Sequence, residues 1–348
     1  MGAAPLVTPQ AGFTARQRGW GYVMAGLGAV LFSMKAIFVK LAYMPTAGMA
    51  ENAVDVTTLL ALRMALSVPV YLIILAIVFR KRKQAGQALP QFSFFIKTGL
   101  LGMIGYYICS YLDFAGLKLI TAQLERLLLF TYPAFVLILG ALFFGKPLTL
   151  RAIACVCLAY SGIAVIFLRG DIATGLNVPL GTALLLVCAL LFALFQILAK
   201  EQIDKMGSSL FTCAAMIAAG AAIFTHFTVI NVQAGTLGTA FDLPLRIYMI
   251  GGAIALLSTL LPSFLVNIAL GRIGAQAVAT LGMISPIATV IVAIIWLGEP
   301  FGWADGVGTA LTILGIGLFA YFDRRDKLKA TAYPYRSTKP AFRISNLP

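Results

Sequence analysis

Charge is what this chain lacks. Only 11% of its 348 residues are Asp, Glu, Lys or Arg, 61% are apolar, and the mean hydropathy is +0.96. A soluble domain carries about a quarter charged residues. A water-soluble fold of this size has no use for so much apolar surface, so the composition specifies an all-α integral membrane protein. Histidine occurs once. That removes histidine-based metal clusters, and the chain also has no Walker sequence and no nucleophile elbow. Cys109, Cys155, Cys157, Cys188 and Cys213 are odd in number, form no CxxC and all fall in apolar segments. They read as small apolar residues, with neither a disulfide framework nor a metal site. Acidic residues are scarce too, 12 against 26 basic ones, for a net charge of +14. The basic residues come in short runs between apolar segments, such as Arg80-Lys81-Arg82-Lys83, and in the tail after Asp323. That pattern sets membrane orientation and argues against nucleic acid as a partner. The first eighteen residues show no signal-peptide core or cleavage site.

What is present is a series of apolar segments. A helix needs about 20 residues to cross about 30 Å of hydrocarbon. Ten segments meet that length, at 19–43, 55–79, 94–116, 121–144, 149–168, 179–202, 208–231, 245–270, 275–298 and 302–322. With the N-terminus in the cytosol, 19 of the 26 basic residues fall on that side, and only Lys118, Arg169 and Arg246 on the other. Both termini are therefore expected in the cytosol of a cell whose cytoplasmic membrane holds the chain. Residues 1–18 form one tail. The tail at 323–348 is basic, reads as disordered, and can meet anionic lipids.

The chain also repeats. An offset of 153 places Ala122-Gln123 on Ala275-Gln276, Pro133 on Pro286, Gly145-Lys146-Pro147 on Gly298-Glu299-Pro300 and Gly162-Ile163 on Gly315-Ile316. An offset of 160 places Gly21 on Gly181, Leu31-Phe32 on Leu191-Phe192 and Lys40 on Lys200. Residues 19–168 and 179–322 thus read as two five-helix repeats. Five is odd, so the second copy enters the membrane from the opposite side, which is the inverted-repeat plan of many secondary transporters.

These features together resemble the drug/metabolite transporter superfamily, in particular its EamA-type proteins. The resemblance spans about residues 20 to 322 and rests on a mid-span proline, the Gly-Lys/Glu-Pro loop and a glycine-rich last helix in each repeat. It implies ten helices, a central cavity and movement of small metabolites, often outward. Acidic loop ends are common in both copies of that family. Glu299 matches, and Lys146 departs.

Four charges lie inside the spans of the first repeat. At 1.5 Å per residue, Lys35 and Glu125 come out about 7 Å below the outer hydrocarbon edge and Arg63 about 10 Å. Arg126 follows Glu125 directly. A charge in hydrocarbon costs about 2.5–3.5 kcal/mol on insertion scales, so these groups must pair or face water. Glu125 is expected to pair with Lys35 or Arg63, and the surplus positive charge, +2 without Asp113, to draw a carboxylate or phosphate. Lys40 and Asp113 read as boundary residues. Tyr107, Tyr111 and Phe114 share a helix face, and Tyr132 follows Glu125 by one heptad. Lys35, Arg63, Glu125, Arg126, Tyr107, Tyr111 and Tyr132 are therefore the expected substrate-binding residues. Glu125 also offers a route to proton coupling.

In the second repeat the candidate polar residues are neutral: Gln196, His226, Asn267, Gln276 and Ser285, with His226 read as a boundary residue. Pro133 and Pro286, repeat-equivalent, are the expected hinges. Gly99, Gly102 and Gly105 spell a close helix contact, as do Gly308 and Gly315. The expected function is secondary transport by alternating access of a small anionic or zwitterionic metabolite, an amino acid or organic acid, most simply outward. No enzyme chemistry and no cofactor are implied. The rivals are a membrane-embedded transferase or hydrolase, and a receptor or assembly subunit that moves nothing.

Overall fold

Apolar helices joined by capped ends account for the architecture of the computed structural model. It describes residues 14–45, 51, 54–86, 90–144, 149–171, 173–282 and 284–332. Lys146 lies outside these residues. Among them the chain is helical with no strand. Eight helical stretches are long and apolar enough to cross a membrane, and two shorter apolar ones, Ile284–Leu297 and Trp303–Phe319, follow.

Polar residues at the loop–helix junctions start the helices. Thr14 and Gln17 form a reciprocal cap at the head of α1 (Ala15–Tyr43). The Asp55 carboxylate accepts from the Thr57 N–H to open α2 (Val56–Gln84). The third span is two helices, α3 (Phe92–Gly102) and α4 (Cys109–Leu119), joined by a π-helical turn at Met103–Ile108. The fourth is also divided, into α5 (Ala122–Leu129) and α6 (Tyr132–Phe144). Then come α7 (Leu150–Arg169), α8 (Val178–Met206) and α9 (Ser208–Gln233). α8 and α9 meet at Gly207, whose φ of +84° suits a residue without a side chain.

The eighth span repeats the design of the third. α10 (Leu245–Ala255) passes through a π-helical turn at Leu256–Leu260 into α11 (Leu261–Gly282). The first residues of the two π turns, Met103 and Leu256, are separated by the offset of 153 found in the sequence. α12 (Ile284–Val292), a third π turn at Ala293–Leu297 and α13 (Trp303–Ala332) complete the order.

Two expected boundaries move. The short link at 271–274 is helical, because α11 runs on to Gly282. The chain still reverses. Gly28 meets Val266 and Gly21 meets Ile273, while Ser285 is back at the level of Ser33. The tail expected to be disordered from 323 is helical as far as Ala332. Its residues DRRDKLKATA contain good helix formers and no proline. Residues 333–348 lie outside the described residues.

Small residues set the contacts. A Cβ on Gly102 would lie 2.3 Å from the Ala215 carbonyl oxygen, and one on Gly105 would enter the Phe195 ring, so α3 and the π turn press against α9 and α8. α7 and α13 meet through Gly162, Gly308 and Gly315 in the same way.

Candidate functional site: a cavity with one charged wall

Between the two repeats lies a cavity of about 380 Å³. Its polar lining comes from Lys35 on α1, Ser110 and Asp113 on α4, Arg126 on α5 and Ser285 on α12. Phe32, Phe130, Tyr132, Phe192, Val266 and Val278 supply much of the apolar remainder.

The charges form one cluster. Lys35 Nζ donates to Asp113 Oδ2 and stands 3.5 Å from Glu125 Oε1. Arg126 Nε lies 3.8 Å from Glu125 Oε2. The guanidinium also donates to Thr289 Oγ1 at 3.2 Å, to the Phe32 carbonyl at 3.1 Å and to the Ser33 carbonyl at 3.4 Å. Those carbonyls sit behind a second bridge. The Ser33 and Ser285 hydroxyls are 2.7 Å apart and fix α1 against α12. Glu125 is fully buried, and neither of its oxygens accepts a hydrogen bond among the described residues. Two ion pairs hold it.

Break points in the helices aim these groups. Pro133 has no N–H for the carbonyl of Leu129, and its ring crowds that carbonyl, so α5 stops. Thr131 then bonds Leu128 through both its N–H, at 3.1 Å, and its hydroxyl, at 2.6 Å. The bend turns Tyr132 into the cavity, where its ring meets Phe192 edge-on at 5.3 Å. Pro286 sits in the first turn of α12, directly beyond the end of α11. Both prolines therefore mark a divided helix.

The expected residues separate into groups. Lys35, Arg126 and Tyr132 line the cavity, and Glu125 lies behind Lys35 and Arg126. Arg63 does not pair with Glu125. It donates to Ser110 Oγ at 3.2 Å and stands 5.6 Å above the Phe114 ring. Tyr107 and Tyr111 face α9 and not the cavity. The Tyr107 hydroxyl is 2.9 Å from His226 Nδ1, and the Tyr111 ring packs on the same imidazole at 5.2 Å. The i, i+4 spacing does put both rings on one side, and that side is turned to α9. The heptad relation of Tyr132 to Glu125 fails, because the helix breaks between them. The side chains of Asn267 and Gln276 lie outside the described residues.

Asp113 is the residue sequence reasoning missed. It is buried in the cavity wall as the partner of Lys35, not placed at the boundary. α4 runs three residues beyond the expected end at 116, which carries Asp113 about 4.5 Å deeper. With it counted, Lys35, Arg63 and Arg126 against Asp113 and Glu125 leave +1, not +2.

Glu299 is a second unforeseen contributor. Its carboxylate accepts from the backbone N–H of Ala122 at 2.7 Å and of Gln123 at 3.2 Å, capping α5 from the other repeat. The Gln123 amide donates back to the Pro300 carbonyl at 3.3 Å.

Comparison with known proteins gives the same grouping. Residues 19–168 and 179–321 match the EamA-like transporter family. The chain belongs to that family. The match covers nearly all of both repeats, so this is a multi-pass membrane protein of a transporter family. The chain is 27% identical over 293 residues to the uncharacterized transporter YcbK of Bacillus subtilis, covering 84% of this chain and 90% of that one. It is 26% identical to an uncharacterized transporter of Methanothermobacter thermautotrophicus, over 62% of each chain. A protein of known crystal structure superposes with a TM-score of 0.55 at 14% identity, covering 88% of this chain and 98% of the other, which is likeness of fold alone.

Proposed function

We propose that this EamA-like transporter carries a small anionic or zwitterionic metabolite, of the amino acid or organic acid class, by alternating access across the cytoplasmic membrane. Both termini are cytosolic in this reading, and net movement is outward. The observation that carries it is the asymmetry of the cavity. The positions repeat-equivalent to Asp113 and Glu125 are Val266 and Val278, and both line the same space. One wall is thus ionic and the facing wall aliphatic and aromatic. Such a space favours a solute with a charged end and an apolar body.

Glu125 and Asp113 share Lys35, so a proton on either carboxyl leaves the other paired. This supports exchange of solute against protons. The test is flux in vesicles holding the purified protein, with radiolabelled amino acids and organic acids and an imposed pH gradient. Glu125→Gln should keep exchange of solute for solute and lose the response to the gradient. Gradient-driven flux equal to that of the unaltered protein would overturn the coupling.

A further inference from the structure

Arg63 is the one cation of the cluster with no carboxylate partner among the described residues. Lys35 has two, and Arg126 has Glu125 together with three neutral acceptors. Arg63 is 95% buried, since its exposure is 5%. Its Nε has no acceptor, and Nη2 reaches only the neutral Ser110 hydroxyl. Asp113, one turn from Ser110 on α4, attracts Arg63 through space but makes no ion pair with it; its Oδ2 is bonded by Lys35. Ser67, one turn along α2 from Arg63, is also fully buried with a hydroxyl that has no partner. It does not even bond back to the preceding turn, as helical serines commonly do.

A guanidinium closed off from water without a counter-charge is costly, and it persists where something else completes it. Ser110 connects this group to the cavity. It lines the open space, and because its oxygen accepts from Arg63, its own hydrogen is directed elsewhere.

We propose that Arg63 and Ser110 form a seat for a monovalent anion, with Arg63 supplying the charge and Ser110 the hydrogen bond at the cavity face. The net +1 of the cluster equals the one charge such an anion brings. The anion is either the carboxylate of the cargo or a free halide, which share the chemistry of a compact acceptor held by N–H and O–H donors. This deepens the transport reading and rests on it for the cavity being the cargo path. Binding itself is measurable without transport.

The purified full chain in detergent is titrated with sodium chloride and, separately, with sodium acetate. Ionic strength is held constant with a bulky sulfonate buffer anion, and the thermal midpoint is read. A saturable rise with acetate alone identifies a carboxylate seat. A rise with both ions identifies a seat open to free halide. In either case Ser110→Ala should raise the half-saturating concentration about ten- to a hundredfold, as expected for one hydrogen bond to a charged group. Arg63→Gln should abolish the response. Should Arg63→Gln fail to fold, Ser110→Ala and Arg63→Lys still decide, because Lys keeps the charge and loses the fixed fork of donors. No saturable rise in the unaltered protein overturns the proposal, and so does a response unchanged by Ser110→Ala and Arg63→Lys. If anions bind but vesicles show no solute flux, the transport reading fails and the seat stands. If flux is unaffected while binding is absent, the reverse holds.

Discussion

Lys35 holds two buried carboxylates, so its removal is not a simple loss of one charge. Lys35→Ala leaves Asp113 and Glu125 facing each other without their shared cation. Breaking a buried pair in this way costs about 3–5 kcal/mol. Adding Asp113→Asn removes much of the repulsion, and the double variant should be more stable than Lys35→Ala alone. Thermal midpoints of the four members of the cycle measure this. Additive losses would mean that the two side chains do not interact. Glu299, in the loop outside the spans, gives a pH signature. Burial raises its pKa above the usual 4.5, against the pull of the Ala122 and Gln123 N–H groups and Lys40. Between 4.5 and that raised value the folded chain keeps a proton the unfolded chain has released. This contribution to stability is complete below 4.5 and lost as pH rises through the window. Glu299→Gln and Glu299→Ala should both flatten that part of the pH–stability curve, and Ala should lie about 1 kcal/mol below Gln through the missing cap. At this scale the sequence was legible where charges were few. Lys35, Glu125 and Arg126 stood out because hydrocarbon tolerates none of them unpaired. Asp113 was hidden by an uncertain helix end, and Glu299 by a contact 177 residues distant in the chain.

Elements show the same split between local and distant causes. Proline announces itself, so the division of the fourth span before Pro133 could be read directly. A π turn has no such marker, and the two that begin at Met103 and Leu256 are set by packing against neighbouring helices. Tyr107 and Tyr111 keep the common side that regular spacing assigned, but that side meets α9 and His226, which the sequence could not show. Glycines allow a sharp test of packing against propensity. Gly26 in α1 has nothing within 4 Å of a would-be Cβ, whereas Gly102 would strike the Ala215 backbone at 2.3 Å. Gly26→Ala should therefore leave the thermal midpoint unchanged or raise it, by up to about 1 kcal/mol of helix propensity. Gly102→Ala should destabilise by about 1–3 kcal/mol, because backbone must move. Equal effects at the two sites would show that α3 and α9 are not in close contact.

At the scale of the molecule, the repeats are tied at both ends, by Arg82 and Thr98 to Met206 at one end and by a second group of bonds at the other. Glu299 caps α5, Gln123 bonds Pro300, and Arg246 donates to the carbonyls of Pro45 at 3.0 Å and Leu41 at 3.2 Å. In the orientation proposed from the basic residues, all of these lie on the outer side. Under the alternating access proposed above, these outer bonds are the ones that would open once per cycle. Ala122→Cys with Glu299→Cys places one thiol on each repeat beside this contact. Oxidation should join them, reduce vesicle flux at least tenfold, and let a reductant restore it. Cys109 and Cys188 already meet across the repeats, so the test is made with both replaced by Ala, and in that background either single variant should be indifferent to the oxidant. The outer contact belongs to the moving parts only if flux falls on cross-linking. Full transport by the cross-linked protein would place the gate elsewhere and make Glu299 a cap and nothing more.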